Sequence, residues 1–231
     1  MKHINYYSAS TEAVEDSFDA FLVENADFTT LGEEYPIIPE TMIAKSLPDK
    51  ILPFEKAISS REDLSKTFIC FYSKDKTFER IRRTPANYVN FFRKTAGIIG
   101  PDFSIHTDMP VIKQKSQIND NLSLTYYYGS KGIPVIPNLR CGINELIPEF
   151  FEAIPKNCIV AIGTHGFVKY YEQQYEWYCF LEKILEQLNP SHVVVYGTLR
   201  GTILKSFKDD PRFVLYEPWL DSHRRGNRHA N

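Results

Sequence analysis

The sequence predicts an α/β protein: a mostly parallel sheet of six to seven strands in βα units, incomplete (β/α) barrel-like or open doubly wound, behind a loop-rich N-terminal lead-in. Three observations predict it. From residue 67 onward, short runs of β-branched and aromatic residues alternate with stretches whose apolar residues recur at helical spacing. The starts of those runs recur at about the thirty-residue pitch of a βαβ unit. With 43% hydrophobic and 14% aromatic residues in 231, the chain can also bury a core of that size, which excludes disorder and fibrous repeats.

Taken in order, residues 1–35 form an acidic lead-in with one short helix near residues 13–23. Pro36, Pro39, Pro48 and Pro53 then make an extended, loop-rich stretch, of which residues 35–38 could pair as a seventh strand. The six strands are expected at 67–72, 97–100 continuing through 103–106, 133–137, 158–162, 192–196 and 212–216. Helices are expected between them at 78–94, 111–128, 145–153, 170–188 and 198–207. The fourth is the clearest, since Trp177, Leu181, Ile184, Leu185 and Leu188 fall on one face and Asn189-Pro190 stops it. Residues 36–220 read as a single domain of this class, and 221–231 as a flexible basic tail. Of the two layouts the barrel-like one is preferred. Both place ligands at the carboxyl ends of the strands, so the functional argument is the same.

Charge and cysteine usage narrow the function. A net charge of −2 is not that of a protein that coats nucleic acid by bulk electrostatics, so any nucleic-acid contact must be local. Cys70, Cys141, Cys158 and Cys179 lie far apart without metal-ligand spacing, which excludes a zinc or iron–sulfur centre built on them and fits reduced thiols. No apolar run approaches the ~20 residues that cross a bilayer, and no secretory signal is read, so a cytoplasmic protein without membrane contact is expected. The helix around 78–94 mixes Arg80, Arg82 and Arg83 with Tyr88, Phe91 and Phe92. It reads as aromatics turned to the core and arginines to solvent rather than as a nucleic-acid surface.

The residues that follow the strands carry the chemistry. Strand alternation through 102–108 would put Asp102, Ser104, His106 and Asp108 on one side, where Asp102 and Asp108 could hold a divalent cation such as magnesium. Capping by Asp102 and Asp108 is the plainer alternative. Asn138 and Arg140 end the next strand, and the planar guanidinium of Arg140 suits a phosphate or carboxylate. In Ala161-Ile-Gly-Thr-His-Gly166 a buried strand delivers Thr164 and His165 between two glycines, placing His165 as an acid or base. Thr198 stands where it would N-cap a helix, whose start together with Arg200 could receive an anion, and Glu217 follows the last strand.

These residues lie on a wider resemblance. Residues 51–54, Gly100-Pro-Asp-Phe-Ser104, Asp108-Met-Pro110, Val135-Ile-Pro-Asn138, Val160-Ala-Ile-Gly-Thr-His-Gly166 and Val195-Tyr-Gly197 resemble, in order and spacing, the domain of unknown function 4417 family of bacteria, bacteriophages and mobile elements. The resemblance covers roughly residues 36–206. It implies a phage- or plasmid-type origin, without an activity, and marks Asp102, Ser104, Asn138, Thr164 and His165 as motif positions. The chain departs from the family at His106-Thr107 and at Arg140-Cys141.

Two readings of function follow. The first is a hydrolase or nuclease-like enzyme acting on a phosphate-containing substrate such as a nucleic acid or nucleotide. In it Asp102 and Asp108 hold the cation, His165 moves a proton and Arg140 stabilises charge, with Ser104, Asn138, Thr164, Thr198 and Arg200 binding substrate. The second is a non-catalytic module that binds a host protein or DNA. A nucleotide sensor built on the Thr198 helix start is a third, weaker reading. Oligomeric state is not encoded legibly.

Overall fold

In a computed structural model, residues 19–31, 34–140, 142, 147–164, 171–199 and 204–226 are described. Seven parallel strands alternate with helices. They are β1 (Lys50–Pro53), β2 (Thr67–Cys70), β3 (Gly97–Ile99), β4 (Val135–Ile136), β5 (Ile159–Gly163), β6 (His192–Tyr196) and β7 (Phe213–Tyr216). The helices among the described residues are α1 (Phe54–Ala57), α2 (Arg80–Arg83), α3 (Ala86–Phe92), α4 (Val111–Ser130), α5 (Ile147–Glu152), α6 (Tyr171–Lys183), α7 (Lys205–Lys208) and α8 (Trp219–Gly226).

The strands form two sheets, β1-β2-β3-β4 and β5-β6-β7, each in sequence order, and not the single sheet or barrel of six to seven strands expected from the sequence. Proline explains the break. β4 is two residues long and lies between Pro134 and Pro137, neither of which can donate to a ladder. What remains between the sheets is one parallel bridge, Asn138 to Ala161, held by Leu139 N–H to Ala161 O and Ala161 N–H to Pro137 O, each 2.8 Å.

Local chemistry accounts for the other differences. The strand beside β2 is Lys50–Pro53, inside the proline-rich stretch read as loop, whereas Pro36 forms only an isolated antiparallel bridge to Phe28. Residues 103–106 are not a strand. The amide of Asn121 on α4 takes both backbone groups of Phe103, accepting from its N–H at 2.9 Å and donating to its C=O at 3.3 Å, so no neighbouring strand is needed. The helix expected at 78–94 is divided into α2 and α3 around Pro85. α6 continues as a wider π turn, Ile184–Leu188, and ends on Asn189 in the left-handed conformation at φ 43°. The helix expected at 198–207 is represented among the described residues by α7 alone, and 221–226, expected as tail, belong to α8. Residues 13–18 and 227–231 lie outside the described residues.

Strand alternation sorts the apolar residues into two clusters. The larger joins the outer strand faces to the helices and includes Ile69, Phe71, Val160, Ile162, Val193 and Val195 with Phe54, Phe78, Phe92 and Tyr128. The smaller takes the opposite face of strands from both sheets: Ile51, Phe68, Cys70, Ile99, Ile136, Ile159, Ala161, Val194 and Tyr196. Phe78, Ile81 and Phe92 are fully buried while Arg83 is exposed, as expected of aromatics turned inward on this segment. Cys70 and Cys158 are free thiols, and burial in apolar surroundings pushes both upward, Cys158 to about 12, so neither is a nucleophile at ordinary pH.

Candidate functional site

At the carboxyl ends of β2, β3 and β4 the chain leaves three polar tips that meet. Tyr72, two residues past β2, donates its hydroxyl to Asn138 Oδ1 at 2.9 Å. Asn138, past β4, turns its amide nitrogen to Asp102 Oδ1 at 2.8 Å and to Pro101 O at 3.2 Å. Arg140 donates from a terminal guanidinium nitrogen to Asp102 Oδ2 at 2.7 Å. Asp102 is thus held at both oxygens, with its side chain 10% exposed and that of Arg140 14%.

The order of donors is set by the acceptors beside Asn138. The Pro101 carbonyl and the Asp102 carboxylate can only accept, so the Asn138 nitrogen turns to them and its oxygen to the Tyr72 hydroxyl. Burial first, and the nearby Asp102 next, raise the Tyr72 phenol well above the usual range, so it keeps the proton it offers to Asn138. Burial also raises the Asp102 carboxyl, against the opposing pull of Arg140 and Asn138. The Tyr72 ring is pinned by stacking on Tyr196, centroids 5.2 Å apart and planes at 19°, and by Gly163, where an added Cβ would meet the ring at 2.4 Å.

Around this network the other tips make separate contacts. Thr164, past β5, donates to Thr198 O at 3.1 Å and accepts from Thr198 N–H at 2.9 Å, closing β5 against β6. Ser104 donates through its hydroxyl to Asp75 Oδ1 at 2.9 Å and through its N–H to Asp75 Oδ2 at 3.2 Å. Ser73 donates to Glu55 Oε2 at 3.1 Å and hydrogen-bonds Thr77 at 2.8 Å.

Of the residues picked from the sequence, Asp102, Asn138 and Arg140 are brought together, and Thr164 is joined to Thr198. Ser104 is engaged by Asp75. The Thr198 N–H is taken by Thr164, residues 200–203 lie outside the described residues, and the next described helix begins at Lys205. Asp108 lies exposed in the turn before α4, whose N-cap position is Pro110, so it neither caps that helix nor shares a described contact with Asp102. His106 is exposed and Glu217 lines a cavity between β1 and β7. His165, Arg200 and Cys141 lie outside the described residues.

A divalent cation does not fit Asp102 and Asp108. The oxygens of Asp102 already accept from Asn138 and Arg140, and among the described residues no group of three or more His, Cys, Asp or Glu side chains could hold a metal. Sequence reasoning missed Tyr72, Ser73, Asp75 and Glu55. Ser73 follows the strand run at 67–72 directly, so the rule that found Asn138 would have found it, whereas Tyr72 closes that run and its ring reads as core.

This arrangement, a parallel α/β scaffold with a carboxylate–guanidinium pair at its strand ends, is shared ground for many ligand-binding and catalytic proteins. The comparisons narrow the class to a family. A sequence model of the domain of unknown function DUF4417 matches residues 33–217, and the chain belongs to that family. It is similar to the Gene 1 protein of Mycobacterium phage L5, 26% identical over 155 residues, 67% of this chain and 66% of the relative. It is likewise similar to the Gene 1 protein of Mycobacterium phage D29, 25% identical over 158 residues, 67% of this chain and 56% of the relative. The chain therefore spans less than two thirds of the length of either relative. No solved structure matches. Among the described residues no helix is long and apolar enough to cross a membrane.

Proposed function

We propose that this phage-type protein is a hydrolase-like enzyme for a phosphate-containing substrate, bound at the carboxyl ends of the strands, with Arg140 as the group that meets the phosphate. The observation that carries the reading is the Tyr72–Asn138–Asp102–Arg140 chain, in which tips of three parallel strands fix one guanidinium at a strand-end mouth. A guanidinium so held is preorganised for an oxyanion, because its rotamer entropy is already spent on Asp102, which Asn138 in turn holds in place. Thr164 and Thr198 supply hydroxyl and backbone groups on the adjoining strand ends, and His165 follows Thr164 directly in the chain.

The test is calorimetric titration of inorganic phosphate and pyrophosphate, followed by turnover assays with p-nitrophenyl phosphate monoesters and diesters. Binding by the wild-type chain, weakened at least tenfold in Arg140→Lys, is expected, since lysine keeps the charge but not the fork. Absence of phosphate binding would sink the proposal. The second reading, a non-catalytic interaction protein for host protein or DNA, is favoured by the completeness of the Asp102 bonds, which leave that carboxylate internally satisfied. Phosphate binding without turnover of any of these esters points to it.

A further inference from the structure

The stretch that follows β2 is charged out of proportion to the chain. It sets Lys74, Lys76, Arg80, Arg82 and Arg83 against Asp75 and Glu79, whereas the whole protein carries −2. Part of this charge is matched internally. Asp75 takes the hydroxyl and N–H of Ser104, Arg82 pairs with Asp120, and Glu79 pairs with Arg83 at 3.0 Å. Lys74, Lys76 and Arg80 are exposed, and among the described residues none of them has a carboxylate partner.

Two of the unmatched cations share one face. The turn Asp75–Thr77 runs on into α2, with Glu79 N–H bonded to Asp75 O at 2.8 Å and Ile81 N–H to Phe78 O at 2.9 Å. Lys76 and Arg80 stand four residues apart on that run, the spacing at which like charges repel and cost stability. Both line a cleft of about 450 Å³ together with Thr77, Glu79, Arg83 and Glu55 of α1, so that every described lining residue is charged or carries a hydroxyl. The Arg80 guanidinium lies over the Phe54 ring, 5.2 Å from its centroid, which steadies the fork and leaves its N–H groups for a ligand. Cleft and strand-end mouth adjoin at the end of β2. Ser73, next to Tyr72, donates to Glu55 at 3.1 Å and hydrogen-bonds Thr77 at 2.8 Å, while Asp75, between Lys74 and Lys76, holds Ser104 two residues past Asp102.

We infer that Lys76 and Arg80 form a second anion subsite, which holds a further phosphate of the ligand that Arg140 meets, and that the ligand is an oligonucleotide. Its identification as the substrate rests on the phosphate reading of Arg140. Charge complementarity supplies the occupant: an anion between Lys76 and Arg80 removes their mutual repulsion, and a diester backbone is the ligand that brings a phosphate to each of two separate cation sites. Glu55 adds selectivity. Its carboxylate repels a bare polyanion, but it accepts from a sugar hydroxyl or a base N–H, which a nucleotide carries beside its phosphate. Phe78 and Phe92 are buried, so this part of the surface binds through charge and not through base stacking.

The experiment titrates the full chain with short thymidine oligonucleotides, thymidine monophosphate, inorganic triphosphate and oligoglutamate over a series of salt concentrations. The oligonucleotide is expected to bind at least tenfold tighter than each of the other three. Its log K should fall against log salt with a slope of about −2, roughly 0.7 for each phosphate met by Arg140, Lys76 and Arg80. In the double variant Lys76→Gln, Arg80→Gln the preference over monophosphate is expected to shrink to within about threefold and the slope to about −0.7. Monophosphate binding without a preference for the oligonucleotide, a preference unchanged in the double variant, or equal binding of triphosphate or oligoglutamate overturns the inference and leaves the reading of Arg140 standing. Oligonucleotide binding that the double variant loses and Arg140→Lys does not alter upholds the subsite and removes the reading of Arg140. Absence of binding by every ligand overturns both.

Discussion

Asp102 and Arg140 balance two large opposing effects: taking a carboxylate and a guanidinium out of water is costly, and their attraction at 2.7 Å, helped by Asn138, offsets much of that cost. Removing the cation alone leaves the cost and discards the offset. Arg140→Met is therefore expected to lower stability by about 3 kcal/mol at pH 7, read from denaturant midpoints. The pH dependence has a definite sign. Burial holds the folded-state carboxyl of Asp102 above the usual carboxylate value, and without Arg140 it rises further. A raised carboxyl contributes stability that is fully present below the unfolded value of about 3.9 and is lost as pH climbs through the folded one. The variant is thus expected to lose stability between pH 4 and pH 8 more steeply than the parent chain. Parallel pH profiles of the two would contradict this assignment.

At the scale of elements, the end of β5 and the end of β2 depend on each other through a glycine. Gly163 leaves room for the Tyr72 ring, which is itself held against Tyr196 and cannot swing aside. Gly163→Ala is expected to destabilise the chain by about 1–3 kcal/mol, the usual range for overpacking a fixed site. It should also weaken phosphate binding, because a displaced Tyr72 withdraws its hydrogen bond from Asn138, the residue that holds Asp102 beside Arg140. A midpoint unchanged within error would show that the ring yields. Proline acts at the same scale in the opposite sense, by removing bonds: Pro137 reduces the junction of β4 with β5 to a single bridge, and Pro85 separates α2 from α3.

Across the whole molecule, the two sheets share one inner cluster, yet among the described residues no backbone hydrogen bond joins β1 to β7, and side chains bridge the seam between them. The seam is consequently the place where the fold opens at least cost. Tyr216→Phe removes the bond to Pro48 and is expected to cost about 1 kcal/mol. Amide exchange should quicken at Ile51 and Leu52 while Val194, central in the other sheet, keeps its protection. Uniform quickening across both sheets would mean that the bond supports global stability and does not gate the seam.

Much of the fold was legible because it rests on local rules. The alternation of strand and helix, the stop at Asn189-Pro190 and the polar residues after strand ends all follow from periodicity and backbone chemistry along a few consecutive residues. Asp102 and Asn138 could be picked out for that reason. Lys50–Pro53 could not, since its prolines signal loop, and Tyr72 could not, since an aromatic after a strand signals core. Tertiary structure alone decided that Asp102 meets Arg140, 38 residues on, rather than Asp108, six away, and that the sheet breaks at Pro137. The physical reason is the range of the forces involved: periodicity records what each segment buries, whereas the partner of a buried charge is set by which segments pack together, and that depends on the entire chain at once.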